Sequence, residues 1–190
     1  MNLKKTLVAA MGAAILAAPL VAAPVLSSTA EAAGEQFFPL IIYRTGPYAV
    51  GGIPLANGYG DYLKLLNARD GGINGVKIKF EECETQYNTK VGIECYEKLK
   101  NKGDVGASVF NPNSTGITYA LIPKTPIDKV PVHSMGYGRT AAGDGRVFPW
   151  AFTFPTSYWS QAAAFINYVG EREGGKANLK GKKIAFIYHN

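Results

Sequence analysis

Two stretches of the chain combine hydroxyl, glycine and aromatic residues in a way that suits binding of a small ligand. The first, NPNSTG at 111–116, places Ser114 and Thr115 where a helix is predicted to begin. A helix N-terminus carries partial positive charge and unpaired N–H donors, so it can hold a carboxylate. Capping of the helix by Asn113 or Ser114 explains the same residue types. The residues alone leave both interpretations open.

The second stretch is Gly136-Tyr137-Gly138, which follows a predicted strand. Glycines at such a place let a ligand approach the backbone closely, although an ordinary tight turn needs them too. Several aromatic residues surround the two stretches: Tyr48, Phe110, Tyr137, Tyr158 and Trp159. They could wall an apolar pocket with few polar anchors, while each one singly is more typical of core packing.

Candidate catalytic and metal-binding residues are few. The only histidines are His133 and His189, and the chain has no HExxH, CxxC or GxSxG motif. GYGRTA at 136–141 imitates a dinucleotide-binding fingerprint, but the glycines and Pro149 that follow argue against the helix it requires. Acidic residues cluster after one predicted strand: Glu81, Glu82 and Glu84. We interpret them as a solvated edge, and we expect no catalysis, no metal and no cofactor.

The N-terminus has the pattern of a secretory signal peptide. Lys4 and Lys5 precede an apolar run over 7–26, and Ala30 and Ala32 form an A-x-A cleavage pattern. We therefore predict a signal peptide at 1–32, cut after Ala32. The run is long enough to span a bilayer as an uncleaved anchor, but its two prolines and the cleavage pattern argue against this. With no cysteine near the cut, we expect a protein free in the periplasm.

Charge and cysteine content narrow the partners and the compartment. The 190 residues carry a net charge of +6, without a dense basic run interleaved with aromatics, so no nucleic acid is predicted as a partner. Six lysines are predicted on solvent faces: Lys64, Lys77, Lys79, Lys98, Lys100 and Lys102. In an oxidising compartment the pair Cys83 and Cys95 suggests a disulfide, which would stabilise by about 3 kcal/mol. Two buried thiols are the alternative.

Hydrophobic periodicity predicts alternating strands and helices. Strands are predicted at 37–43, 76–81, 104–110 and 130–135, and helices at 54–68, from Asn88, and from Ser114 or Thr115 to before Pro123. This order indicates an α/β fold with a parallel sheet covered by helices on both faces. Ligands bind at the carboxyl ends of such strands, which here end in loops 44–53, 111–115 and 136–145.

The C-terminal part predicts a second unit that has only begun. A crossing strand is predicted at 147–154, and a helix at 157–171 with four residues inward, namely Ala162, Phe165, Ile166 and Val169. A buried strand is predicted at 183–188, and such a strand needs neighbours on both sides. We therefore expect a truncated sequence, with an N-terminal ligand-binding lobe at 33–155 and the start of a second lobe at 156–190.

Four segments together resemble a known family. They are TGPYA at 45–49, NARDGGINGVKI at 67–78, VPVHSM at 130–135 and IAFIYHN at 184–190. In their order and spacing, the chain from about Phe37 to Asn190 resembles the N-terminal part of type I periplasmic binding proteins, in the leucine/isoleucine/valine-binding group of ABC importers. The resemblance implies two α/β lobes joined by three crossing strands with ligand held between them, and it supports the disulfide.

The resemblance also implies ligand-binding residues. The family's serine at the start of the third helix, which meets the ligand carboxylate, matches Ser114, with Thr115 adjacent. The family's small residue after the fourth strand falls on Gly136, which keeps a backbone N–H donor. The family's threonine after that strand falls on Gly138, which lacks the hydroxyl. Tyr158 stands where an acidic residue is frequent, and Gly51 where an aromatic is frequent. These departures favour a wider, aromatic-rich pocket, lined by Tyr48, Tyr137 and Tyr158.

The sequence thus predicts a solute-binding protein that captures a small hydrophobic carboxylate, such as a branched-chain amino acid or an aromatic acid. Its predicted partner is an inner-membrane ABC permease, and we expect it to be a monomer. A ligand sensor of the same fold is the alternative. An exported α/β hydrolase is a weaker alternative, because His133 is the one histidine base within the predicted fold and no triad partners are evident.

Overall fold

Two pairs of parallel strands form the centre of the molecule. The computed structural model describes residues 34–135 and 140–187. Strand β1 (Gln36–Ile42) pairs with β2 (Ile78–Glu84), and β3 (Val132–Ser134) pairs with β4 (Ala151–Thr153), both in parallel. Parallel bridges from Phe37 to Ala107 and from Phe110 to Val132 join the two pairs. The sheet therefore runs β2, β1, segment 107–110, β3, β4.

Helices connect these strands. The described residues include α1 (Ala49–Arg69), α2 (Thr89–Leu99), α3 (Thr115–Leu121), α4 (Thr125–Asp128) and α5 (Tyr158–Arg172), and two short 3₁₀ helices, Thr140–Gly143 and Lys176–Leu179. The predicted α/β class with parallel strands is confirmed. None of the helices in the described ranges is long and apolar enough to span a membrane.

The alternation of side chains along β1 builds a core on each face of the sheet. On one face Phe37 and Ile41 pack in a large cluster with α2 and α3, whose buried members include Tyr96, Leu99, Phe110, Ile117 and Leu121. On the other face Leu40 and Ile42 pack against Ala56 of α1, together with Tyr59, Leu63 and Phe80. Because successive strand residues point to opposite faces, one apolar run supplies both cores.

Side-chain caps fix where three helices begin. The Asn88 side chain accepts a hydrogen bond from the Val91 N–H at 3.1 Å, which confirms the predicted cap of α2. Ser114 caps α3 by accepting from the Ile117 N–H at 3.4 Å, and Ser157 caps α5 by accepting from Ser160. Each cap satisfies one of the N–H groups that a helix start leaves without a partner.

The two cysteines form a disulfide, as predicted, and the alternative of two buried thiols is wrong. Cys83 of β2 and Cys95 of α2 lie 5.8 Å apart between their Cα atoms. The bond ties the helix directly to the strand that precedes it.

Several predicted element boundaries need correction, among them the crossing strand predicted at 147–154, which is a strand only over Ala151–Thr153. Helix α1 begins at Ala49, five residues before the predicted start, and contains Pro54 in its interior. The predicted strand at 104–110 joins the sheet only through its bridges at Ala107 and Phe110. Gly103 and Gly106 have φ of +88° and +82°, and these left-handed residues interrupt the extended backbone that a strand requires.

The C-terminal segment is less buried than its periodicity predicts. Phe165 and Ile166 of α5, predicted inward, are 63% and 41% exposed. Residues 183–187 of the predicted last strand are not in a strand, and Ile184 is 74% exposed. A strand ladder needs a neighbouring strand to supply its hydrogen bonds, and no described strand lies beside this segment. The predicted signal peptide falls outside the described residues.

Candidate ligand-binding site

Two of the predicted ligand residues meet at the carboxyl edge of the sheet. The hydroxyls of Thr115, at the first position of α3, and Tyr158, at the first position of α5, are hydrogen-bonded at 2.7 Å although 43 residues separate them. Beside this pair opens a cavity of about 510 Å³, lined by Tyr119, Thr140, Ala141, Tyr158 and Trp159. Hydroxyls next to an aromatic wall suit a ligand with one polar group and an apolar body.

Ser114 has a structural role next to this pair. Its side chain caps α3, and the residue is only 2% exposed. The capping interpretation is therefore what the structure shows, and contact of Ser114 with a ligand stays a prediction. The predicted Gly136, Tyr137 and Gly138 lie outside the described residues.

Tyr48 lies in a separate aromatic cluster, with Tyr43 and Tyr87. The Tyr48 and Tyr87 rings are 4.4 Å apart between centroids and tilted by 50°, and Tyr43 meets Tyr87 edge-on at 4.9 Å. Tyr43 and Tyr48 come from the β1–α1 loop, and Tyr87 from the β2–α2 loop. The cluster therefore joins two loops at the carboxyl ends of adjacent strands.

The carboxylate of Glu84 holds the same two loops together. It accepts hydrogen bonds from the N–H groups of Arg44 and Gln86, both at 2.7 Å, and from the Thr45 hydroxyl at 3.2 Å. Burial acts to raise the pKa of Glu84, but the hydrogen bonds from Arg44, Gln86 and Thr45 lower it below its usual value. The group therefore stays charged and bound at neutral pH.

The Arg44 guanidinium extends this network to α1. It makes a two-point contact with the Glu82 carboxylate, at 2.7 and 2.8 Å, and donates to Asn57 at 2.7 Å. Glu81 is paired instead with Lys98 and Lys102. The three acidic residues therefore do not converge, and no group of three metal-ligating side chains occurs within 34–135 and 140–187.

The aromatic cluster and the Thr115–Tyr158 pair lie along one edge. A side-chain carbon added at Gly116 would come within 2.7 Å of the Thr89 hydroxyl, so the starts of α2 and α3 touch. Thr89 is two residues beyond Tyr87, and Gly116 directly follows Thr115. Loops 44–48 and 85–88 and the start of α3 therefore line the carboxyl ends of neighbouring strands, where ligands bind in parallel sheets.

A third polar cluster surrounds His133. The Asn111 amide donates to the Tyr59 hydroxyl at 2.9 Å and lies 3.5 Å from the His133 ring, which stacks on Phe154. Among the described side chains, Asn111 is the one within hydrogen-bond distance of the His133 ring. Three buried atoms nearby have no hydrogen-bond partner among the described residues: Asn111 Oδ1, Asn113 Oδ1 and Ser134 Oγ.

The sequence did not indicate the roles of Tyr87, Glu84 and Arg44. Glu84 belongs to the acidic cluster that we interpreted as a solvated edge. Its hydrogen bonds reach a loop about 40 residues earlier, and the residues around Glu84 in the sequence do not indicate such a contact. Tyr87 lies one residue before a predicted cap, where an aromatic could equally be core. The proximity of the two loops was predictable only from the parallel order of β1 and β2.

Comparison with known proteins places this edge in context. The sequence profile of the periplasmic binding protein family matches residues 35–190. A search of the curated proteins finds no significant match.

Several solved structures share the fold. A structure named as an ABC transporter permease from the Pseudomonas fluorescens group is 46% identical, with a TM-score of 0.72 over 78% of this chain and 36% of that one. A branched-chain amino acid ABC transporter protein from Thermus thermophilus with bound valine is 24% identical, with a TM-score of 0.61 over 74% of this chain and 36% of that one. The substrate-binding protein LivJ from Streptococcus pneumoniae, in complex with isoleucine, is 20% identical, with a TM-score of 0.60 over 74% of this chain and 39% of that one. This chain thus spans little more than a third of each structure.

Proposed function

We propose that this chain, which belongs to the periplasmic binding protein family, serves an ABC importer by capturing a small hydrophobic carboxylate, such as a branched-chain amino acid or an aromatic acid. The hydroxyls of Ser114 and Thr115 and the backbone N–H groups at Gly136 and Gly138 receive the carboxylate. The rings of Tyr48, Tyr137 and Tyr158 line the apolar part of the pocket.

The observation that carries the proposal is the hydrogen bond between Thr115 and Tyr158, 2.7 Å long. It brings together the starts of α3 and α5, one in the proposed lobe at 33–155 and the other at the beginning of the proposed second lobe at 156–190. A hydroxyl pair at such a junction can exchange its mutual hydrogen bond for bonds to a carboxylate when a ligand enters. Ligand binding would then favour one arrangement of the two lobes.

The remaining steps of the proposed function follow from export. The leader at 1–32 directs the protein to the periplasm, where the cut after Ala32 releases it as a diffusing monomer. There it binds its solute, closes by a hinge motion and delivers the solute to an inner-membrane permease. No chemistry is performed on the ligand.

Isothermal titration calorimetry on the full-length protein with leucine, phenylalanine, benzoate and phenylacetate tests the proposal. We expect at least one of these acids to bind with a Kd well below 1 mM, the value that corresponds to about −4 kcal/mol. Thr115→Ala should weaken binding of that acid about tenfold, because it removes one hydrogen bond to a charged group.

Thr115→Ser is the matched control, since it keeps the hydroxyl and should bind within about threefold of the original protein. Binding weaker than millimolar for every acid tested would show that the proposed function is wrong. Equal affinities for the alanine and serine variants would remove Thr115 from the site.

A further inference from the structure

The loop between β2 and α2 contains two neighbouring residues in a backbone conformation that side chains disfavour. Gln86 and Tyr87 have φ of +55° and +59°, in the left-handed region that non-glycine residues seldom occupy. Glycine at either position would relieve this strain. Strained residues of this kind persist where the surroundings hold them, and they concentrate at ligand-binding loops.

The strained conformation places the ring of Tyr87 against the first loop. Its ring centroid is 4.4 Å from that of Tyr48 and 4.9 Å from that of Tyr43. Tyr48 is 37% exposed, so this aromatic surface is open at the edge of the sheet. An apolar surface made of two tyrosine rings suits stacking of a flat apolar group.

Other contacts hold the two loops in register. Glu84 binds the Arg44 and Gln86 N–H groups on either side of the contact. A side-chain carbon at Gly46 would lie 2.6 Å from the Gln86 carbonyl oxygen, so the loops touch with no room between them. The aromatic surface is therefore preorganised, which lowers the entropy lost when a ligand binds.

The polar groups beside this surface restrict the class of ligand. The carboxylates of Glu82 and Glu84 are already bound to Arg44 and to loop donors, so much of their charge is balanced within the protein. The surface therefore offers a ligand ring faces to stack on more than an acidic partner.

We infer that Tyr87 is a specificity-determining residue of the ligand site, and that with Tyr48 it stacks on the ring of an aromatic carboxylate. This inference rests on the proposed function and refines its ligand class. Glu84 acts as a positioning residue, because it fixes the loop that presents Tyr87.

Calorimetry on the full chain with phenylacetate and leucine tests the inference. Tyr87→Gly removes the ring and relieves the backbone strain, so it should fold, and it should lower the affinity for phenylacetate relative to leucine about tenfold. Tyr87→Phe keeps the ring and should leave that ratio within about threefold. Asn74→Gly is the control for strain relief, because Asn74 also has positive φ, +51°, in a turn away from these loops.

Each result decides the question. An unchanged ratio in Tyr87→Gly, or an equal loss in Tyr87→Phe, overturns the role of the ring while leaving the proposed function in place. Binding of leucine but not phenylacetate by the unmodified protein overturns the aromatic ligand class. Binding of neither acid overturns the proposed function, and the role of Tyr87 with it.

Discussion

A buried polar network shows how single residues stabilise the side of the molecule opposite α1. Tyr96 is fully buried, and its hydroxyl donates to Asp128 at 2.8 Å. The Lys100 ammonium donates to the other Asp128 oxygen at 2.9 Å. The sequence predicts Lys100 on a solvent face, but its side chain is only 17% exposed. Burial and the neighbouring Asp128 carboxylate raise the pKa of Tyr96 well above its usual range. The hydroxyl therefore remains a donor at every pH of interest.

Tyr96→Phe should lower the free energy of unfolding by about 1–2 kcal/mol, because Asp128 loses a hydrogen bond and stays partly buried. Urea denaturation followed by circular dichroism measures the change. The control is Tyr119→Phe, at a residue that is 44% exposed, and it should change stability by less than about 0.5 kcal/mol. Equal effects of the two substitutions would contradict the role of the buried hydrogen bond.

Residue types predicted some of the residues at the carboxyl edge of the sheet and not others. Ser114 and Thr115 were predictable because hydroxyls before an apolar helix pattern indicate a cap. Tyr87 was not, since its orientation comes from a left-handed backbone that only the surrounding contacts maintain. The Thr115–Tyr158 contact spans 43 residues, and family resemblance pointed to both residues without indicating that they touch.

At the scale of elements, the first turn of α1 lies close against the loop that precedes it, because Gly52 has no side chain. A side-chain carbon at Gly52 would be 1.8 Å from the Tyr43 carbonyl oxygen, a backbone atom that cannot turn aside. By contrast, Gly58 of the same helix has nothing within 4 Å of that position. One glycine is required by packing, and the other only lowers helix propensity.

Gly52→Ala should therefore destabilise the protein by at least about 2 kcal/mol, whereas Gly58→Ala should stabilise it by about 0.5–1 kcal/mol. Thermal unfolding of both variants shows whether their changes in stability have opposite signs. Tolerance of alanine at Gly52 would mean that the start of α1 lies farther from the Tyr43 backbone than described.

Element prediction succeeded where the signal is local and failed where it is not. The caps at Asn88 and Ser114 and the apolar run of β1 depend on neighbouring residues, and they were predicted. The start of α1 was misplaced because a proline was taken as the first helical residue, while the helix begins five residues earlier. Exposure of α5 and of 183–187 could not be predicted, since periodicity indicates an apolar face but not what covers it.

At the scale of the whole molecule, acidic groups make stability depend on pH. Among the described residues, the pKa values of six carboxyl groups are lowered: Asp70, Glu81, Glu84, Glu97, Asp128 and Asp144. For Asp128 the Lys100 ammonium is the largest cause, and the Tyr96 hydroxyl adds to it against the effect of burial. A carboxyl with a lowered pKa in the folded state binds its proton more readily in the unfolded state. Its stabilisation is full above the unfolded-state pKa and is lost as pH falls through the folded-state value.

We therefore expect the free energy of unfolding to fall as pH decreases below about 4.5, near the pKa of unfolded carboxyl groups. The Asp128→Asn variant should have a lower free energy of unfolding than the original protein at pH 7. Between pH 5 and pH 3 its free energy of unfolding should fall by less than that of the original protein. Urea titrations across this range measure the slope. Asp61→Asn is the control, since its side chain is 73% exposed, and the same slope in both variants would contradict the role of Asp128.

The central position of β1 in the sheet affects how the chain folds during synthesis as well as how stable the folded protein is. This strand lies between β2 and segment 107–110, and the Ser108 side chain that bonds the Phe37 carbonyl is 71 residues away in sequence. During synthesis the edge of β1 that pairs with segment 107–110 therefore stays unpaired until that segment has left the ribosome. Pairings over such distances form slowly, so the newly made chain passes through an interval in which one side of β1 is built and the other is still missing.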